Sequence, residues 1–211
     1  MEILTHIAKS LELGEDDRVH ELVNEALAQA VPPSRVLNEG LVAGMNVVGD
    51  QFRQREIFLP DVLLAARAMY AGLDVLKPLL AREGVPTAGT VVIGSVQGDL
   101  HDIGKNLVGI MLKGAGFEVV DLGNDVAPER FVDTAVSHSA QVVGMSALLT
   151  TTMPVMKQVV DLVRSRGLAG RVRTIVGGAP VNEDFAREIG ADAYGFDAAN
   201  AVERVRALVQ G

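Results

Sequence analysis

Apolar residues over the first 81 positions recur at spacings of three and four, with almost no β-branched run, whereas after residue 90 they gather into short blocks. The first pattern predicts amphipathic helices. One covers residues 2–12 and a second the stretch DDRVHELVNEALAQAV, residues 16–31. A third, PPSRVLNEGLVAGMNVVGDQF over 32–52, opens on two prolines, whose fixed φ suits a helix start. The fourth, LPDVLLAARAMYAGLDVLKPLLA over 59–81, carries Pro60 in its first turn. Four such helices predict a small bundle over residues 1–85.

The second pattern predicts strands at TVVIGSV (90–96), FEVVDLG (117–123), QVVGMSA (141–147), RTIVGGA (173–179) and ADAYGF (191–196). Helix-like segments of about 10 to 15 residues separate them, and alternation of that kind signals a parallel sheet covered on both faces. The expectation is an α + α/β chain: a four-helix N-terminal bundle, then a flavodoxin-like, Rossmann-like doubly wound five-stranded parallel sheet over 86–211. Such sheets bind ligands at the carboxyl ends of their strands, near the switch point. The turns after the first, third and fourth strands therefore converge on one rim.

Composition narrows the function classes. Of 211 residues none is cysteine, which excludes disulfides, thiolate metal sites, iron–sulfur clusters and a cysteine nucleophile. The net charge is −8, with −5 in residues 1–85 and −3 in the remainder, and no basic stripe. A nucleic-acid partner or a membrane-surface role is disfavoured, since both need clustered Lys and Arg. No apolar run approaches the roughly 20 residues of a bilayer span, and the N-terminus does not read as a signal peptide. A cytoplasmic location is expected.

Candidate chemistry lies in GSVQGDLHDIGKNL, residues 94–107, at the exit of the first strand. It is not a phosphate-binding P-loop: Gly98 and Gly104 are separated by five residues, Asn106 follows Lys105, and acidic residues inside the loop repel phosphate. A dinucleotide fingerprint is absent, and the third strand ends in Met145, Ser146 and Ala147 where a receiver domain needs a phosphoacceptor aspartate. The remaining histidines, His6, His20 and His138, read as surface residues, which makes a metal site built by the protein alone a poor fit. A cofactor that brings its own metal and most of its ligands needs a single axial nitrogen, and His101 in an open turn supplies one. In Asp99-x-His101 both side chains of an extended turn point to the same side, so the carboxylate can take one ring N–H and fix the tautomer. Asp102 suits a cap for the following helix, and Lys105, one residue into that helix, is expected to be solvated.

Asp99-x-His101-x-x-Gly104, followed by Ser146-x-Leu148 and by Gly177-Gly178, resembles the cobalamin-binding signature of methyltransferase-associated corrinoid proteins and of cobalamin-dependent methionine synthase. The segment GMNVVGDQF…FLPDVLLAARAM, residues 44–69, is similar to the helical cap of the methyl-carrying branch. The resemblance implies His101 as the lower axial ligand to cobalt, displacing the cofactor's own base, with Asp99 bonded to it and Thr152 completing a relay where methionine synthase has serine. It places the cofactor against Gly98, Asp99, Leu100, His101, Asp102, Ile103 and Gly104, and runs the displaced nucleotide tail past Ser146, Leu148, Thr150, Gly177, Gly178 and Ala198. It puts Phe52, Leu59 and Val62 of the helical domain over the upper, methyl-bearing face.

By the same resemblance the chain carries a methyl group on cobalt between a substrate-specific methyltransferase and an acceptor methyltransferase that serves tetrahydrofolate or coenzyme M, with a reductive activator as a further partner. It is expected not to turn over alone. The alternatives are a cobalamin-responsive regulator, though no basic helix-turn-helix is visible, and the small subunit of an adenosylcobalamin mutase.

Overall fold

The computed structural model describes residues 2–83 and 87–210; the change of pattern expected near residues 85 and 86 falls at positions outside these. Two compact units divide the chain, one of residues 1–86 with 114–116, the other of residues 87–113 with 117–211.

The first unit is helical. It comprises α1 (Glu2–Glu12), α2 (Asp16–Ala28), α3 (Pro33–Arg35), a π-helical stretch (Val36–Val42), α4 (Ala43–Arg53) and α5 (Leu59–Glu83). The third expected helix is thus one helical path, with right-handed dihedrals at both joints, Arg35 and Val36 at one end and Val42 and Ala43 at the other. Its middle is widened by the π stretch, which leaves the apolar periodicity almost unchanged and is invisible to it. The apolar stripes meet as the spacing requires: Ile7 and Leu11 of α1, Val19 and Val23 of α2, Leu41, Val48, Met69 and Leu76 are all buried.

The second unit alternates β1 (Thr90–Ser95), α6 (Ile103–Gly114), β2 (Glu118–Asp121), α7 (Pro128–Ser137), β3 (Val142–Ser146), α8 (Met153–Ser165), β4 (Arg173–Gly177), α9 (Glu183–Ile189), β5 (Ala193–Gly195) and α10 (Ala198–Gln210). All five strands are parallel, in the order β2-β1-β3-β4-β5, the doubly wound arrangement whose ligands lie at the carboxyl edge. β1 is buried throughout, so it reads as a continuous apolar run rather than an alternation. Val92, Val143, Met145 and Val176 form one core with Phe131 and Val132 of α7, Met156, Val159 and Val160 of α8, and Ile189 of α9. Ile93, the next residue along β1, points to the opposite face and meets Gly109 of α6, where a Cβ would lie 2.8 Å from the Ile93 Cδ1. The strands of the centre, β1 and β3, end together, with Ser95 opposite Ser146 and Ser146 opposite Gly177. That register puts the three predicted turns on one rim. Among the described residues no helix is long and apolar enough to cross a membrane.

Candidate functional site

The turn between β1 and α6 carries Asp99 and His101, and the turn between β3 and α8 reaches over to meet them. Asp99 is fully buried, and its two oxygens divide the work. Oδ1 accepts from the His101 ring Nδ1 at 2.7 Å and from the His101 backbone N–H at 3.1 Å. Oδ2 accepts from the backbone N–H of Leu148 at 2.7 Å, that of Leu149 at 3.1 Å and the Thr152 hydroxyl at 2.8 Å. Burial alone pushes a carboxyl toward the neutral form. The donors on His101, Leu148 and Thr152 outweigh it and hold Asp99 well below the usual carboxylate range. An ionised carboxylate only accepts, so Nδ1 is the donor, and in the neutral ring Nε2 is then the nitrogen with a free lone pair. The His101 side chain is 51% exposed, while the carboxylate that orients it is sealed in.

Thr152 stands at the N-cap position of α8, yet its side chain makes no capping bond. Its hydroxyl also lies 2.9 Å from the Leu149 carbonyl, and with one proton to give, the charged Asp99 is the stronger acceptor. His101, Asp99 and Thr152 are thus joined in one hydrogen-bonded group. Asp102 precedes α6, and its carbonyl takes the Asn106 N–H at 2.7 Å. Its carboxylate makes no hydrogen bond among the described residues, so the expected side-chain cap is not formed.

The other expected residues of the second unit lie at the carboxyl ends of its strands and in the turns and helix starts that follow. Gly98, Leu100, Ile103 and Gly104 are exposed, as are Leu148 and Thr150, while Ser146 is half-buried and Ala198 buried. Leu100 and Ile103, at 70% and 73% exposure, are among the most exposed large apolar side chains described; they flank His101 in the chain and mark a face built to be covered. Gly177 and Gly178 sit where backbones converge. A Cβ on Gly178 would lie 1.9 Å from the Ala147 carbonyl oxygen, at φ +127, and one on Gly177 would lie 2.9 Å from the Gly195 oxygen. In the helical unit Phe52 and Leu59 are half-buried and Val62 is fully buried.

Lys105 corrects its expectation. It is buried, with Nζ 2.6 Å from both carboxylate oxygens of Asp121 and from Asn106 Oδ1. Three further residues at this rim, Ser95, Asn124 and Asp125, escaped sequence reasoning. The signal for them was the Gly-Asn-Asp turn after β2, which the strand order sets directly beside the β1 turn. A fourth is Asn200, in the first turn of α10: it is buried, and its Oδ1 has no hydrogen-bond partner among the described residues.

Chemically the rim offers one outward imidazole nitrogen, and no group of three or more His, Cys, Asp or Glu able to hold a metal ion occurs among the described residues. That donor set fits a metal whose other ligands come with it. The uncovered apolar side chains fit the face of a large organic ring, and the buried Asn200 Oδ1, without a partner among the described residues, fits a ligand that brings a hydrogen-bond donor inside.

The comparisons converge on such a ligand. A family model described as a B12 binding domain matches residues 89–206, and a second of the same description matches residues 3–77. The trimethylamine corrinoid protein 2 of Methanosarcina acetivorans is 44% identical over 211 residues, covering 99% of this chain and 97% of its own. Among solved structures, the methanol:cobalamin methyltransferase complex MtaBC from Methanosarcina barkeri matches with a TM-score of 0.88 at 35% identity, covering 100% of this chain and 80% of that one. A cobalamin-binding protein from Desulfitobacterium hafniense matches with a TM-score of 0.80 at 32% identity, covering 97% and 98%. The chain belongs to the B12-binding corrinoid proteins of methyltransferase systems, and its cofactor is cobalamin.

Proposed function

We propose that this chain is a methyl carrier: it holds cobalamin through His101, with the cofactor's own base displaced, and shuttles between a methyltransferase that loads the methyl group and one that removes it. The observation that carries the reading is the half-exposed His101 ring, held at Nδ1 by the buried Asp99 carboxylate. Residues 1–85 serve as the cap domain, with Phe52, Leu59 and Val62 as apolar cover, and residues 86–211 hold the cofactor. Bound cobalamin supplies the metal centre that accepts and yields the methyl group. The protein's part is to place and tune one ligand. Asp99 holds Nδ1–H, and Thr152 with the Leu148 and Leu149 N–H groups holds Asp99. His101 would hold the metal of the cofactor, and the buried carboxylate with its donors would fix the ring that presents it.

The relatives that are 43–44% identical are trimethylamine corrinoid proteins, which favours a methylamine as the donor. The acceptor methyltransferase would serve tetrahydrofolate or coenzyme M, a reductive activator would restore the working oxidation state, and the cytoplasm is the compartment. The test supplies the reduced, cobalamin-loaded chain to a trimethylamine methyltransferase with trimethylamine, dimethylamine or methanol. Formation of dimethylamine from trimethylamine, dependent on this chain, is expected. No demethylation of any of the three overturns the reading.

Asn200 carries a separate prediction. If its amide meets the polar nucleotide tail, Asn200→Leu weakens cobalamin binding about threefold to tenfold, the effect of one lost hydrogen bond, and leaves cobinamide, which lacks the tail, unaffected. Equal loss for both ligands, or none for either, removes Asn200 from the tail site.

A further inference from the structure

Residues 97–102, which present His101, belong to no helix or strand, so their backbone groups need partners from elsewhere. Asp99 orients the imidazole ring, but it does not by itself fix the main chain beneath it. For Gly98 to His101, half of them come from the turn after β2. Gly98 donates its N–H to Asp125 Oδ1 at 2.7 Å, the Asp99 carbonyl accepts the Asp125 N–H at 3.0 Å, and the Leu100 carbonyl accepts from Asn124 Nδ2 at 3.2 Å. The His101 carbonyl accepts the Ser95 hydroxyl at 2.6 Å. The Asp99 N–H donates to the Val96 carbonyl and the His101 N–H to Asp99 Oδ1, so each residue from Gly98 to His101 has a backbone group tied down, and three of these six ties come from Asn124 and Asp125.

The turn is itself anchored. Its backbone continues the pairing with β1: Ser95 donates to the Gly123 carbonyl at 3.0 Å, and Val126 donates to the Ser95 carbonyl at 3.0 Å. Asp121 takes the Gly123 N–H at 2.9 Å and the buried Lys105, which begins the helix on the far side of the His101 turn. Asp125 lies at φ +53, a left-handed conformation that glycine adopts freely and an aspartate adopts at some cost. Here the side chain is in use, on the Gly98 N–H.

We propose that the Asn124-Asp125 turn, anchored through Asp121 and Lys105, is a second positioning element for the cobalt ligand, setting where His101 stands while Asp99 sets how its ring points. The proposal rests on His101 being the axial ligand. Asn124 and Asp125 touch neither ring nor metal; they act through the main chain. Release of the ligand is then a movement of side chain or cofactor above a fixed turn, and loosening the turn shifts the balance toward the released form.

The test uses the full chain loaded with cob(II)inamide, which has no base of its own, so that nitrogen splitting in the electron paramagnetic resonance spectrum reports His101 alone. His101→Ala is the blank. Asp125→Gly removes the carboxylate while accepting the backbone angle, Asn124→Ala removes a single side-chain bond, and Asp125→Asn keeps an acceptor oxygen. Asp125→Gly and Asn124→Ala are expected to bind the corrinoid and lower the ratio of ligated to unligated cobalt about threefold to tenfold, with Asp125→Asn within twofold of the wild type. Both variants folded by thermal unfolding, with the wild-type ratio, would overturn the proposal. Should Asp125→Gly fail to fold, Asn124→Ala decides alone. Wild-type protein without nitrogen splitting would instead overturn the axial reading, and the proposal with it.

Discussion

Asp99→Ala is expected to lower the folding stability of the cofactor-free protein by about 3–5 kcal/mol, because one substitution strands a set of donors in a place that excludes water. Five hydrogen bonds end on this carboxylate, three of them from the β3–α8 turn. Losses within one network do not add, which is why the figure is below the sum of five charged hydrogen bonds. Against a typical total of about 5–15 kcal/mol it is a large fraction. Thr152→Val removes one donor and leaves four, so about 1–2 kcal/mol is expected, and Thr152→Ser should recover most of it. The loss also has a pH signature. The native carboxyl is held below its unfolded value, so its contribution is fully present above the unfolded carboxylate range, near about pH 4, and is lost as pH falls toward the native value. Urea unfolding at several pH values should therefore show the gap between wild type and Asp99→Asn closing in acid. A gap that is small at neutral pH, or that widens in acid, would contradict the account of Asp99.

Gly178→Ala is the second large effect, and Gly104→Ala is its counterpart. At Gly178 the new Cβ meets a backbone oxygen at 1.9 Å, at a φ of +127 that L-residues rarely adopt. A backbone obstacle cannot rotate aside as a side chain can, so a cost of about 3 kcal/mol or more is expected. At Gly104 nothing lies within 4 Å of the added Cβ, and alanine is the better helix former in the first turn of α6. Stability of the cofactor-free protein should therefore stay within about 1 kcal/mol or rise slightly. Cobalamin binding is where Gly104→Ala should fail, if the space above it belongs to the corrin. Denaturant unfolding and cobalamin titration of both variants separate the two roles. Full affinity in Gly104→Ala would remove that glycine from the cofactor surface.

The two predictions also show what was legible in the chain. Asp99 and His101 could be paired from their spacing, because two residues in an extended turn project to one side whatever surrounds them. The five strands could be placed from their apolar blocks, though every strand is shorter than its block, β2 and β5 most of all. Thr152 was readable only through the resemblance, since a threonine before a helix ordinarily caps it; the carboxylate beside it draws the hydroxyl away. Lys105 was misjudged because a lysine in a first turn faces water by default, and the partner that buries it, Asp121, is 16 residues away on a neighbouring strand. Asn124, Asp125 and Ser95 act through side-chain bonds to another loop's backbone, which leave no periodicity. Their neighbourhood follows only from the strand order. The π stretch and the Asn200 Oδ1 that has no partner among the described residues likewise have no imprint on the hydrophobic pattern.

The central claim is that cobalamin is held with the His101 imidazole at cobalt. The absorption spectrum of the purified protein with hydroxocobalamin, recorded beside that of His101→Ala, tests it most directly. The account predicts tight binding with a spectrum that depends on His101. Folded wild-type protein that does not bind under reconstituting conditions, or a spectrum that His101→Ala leaves unchanged, would contradict it.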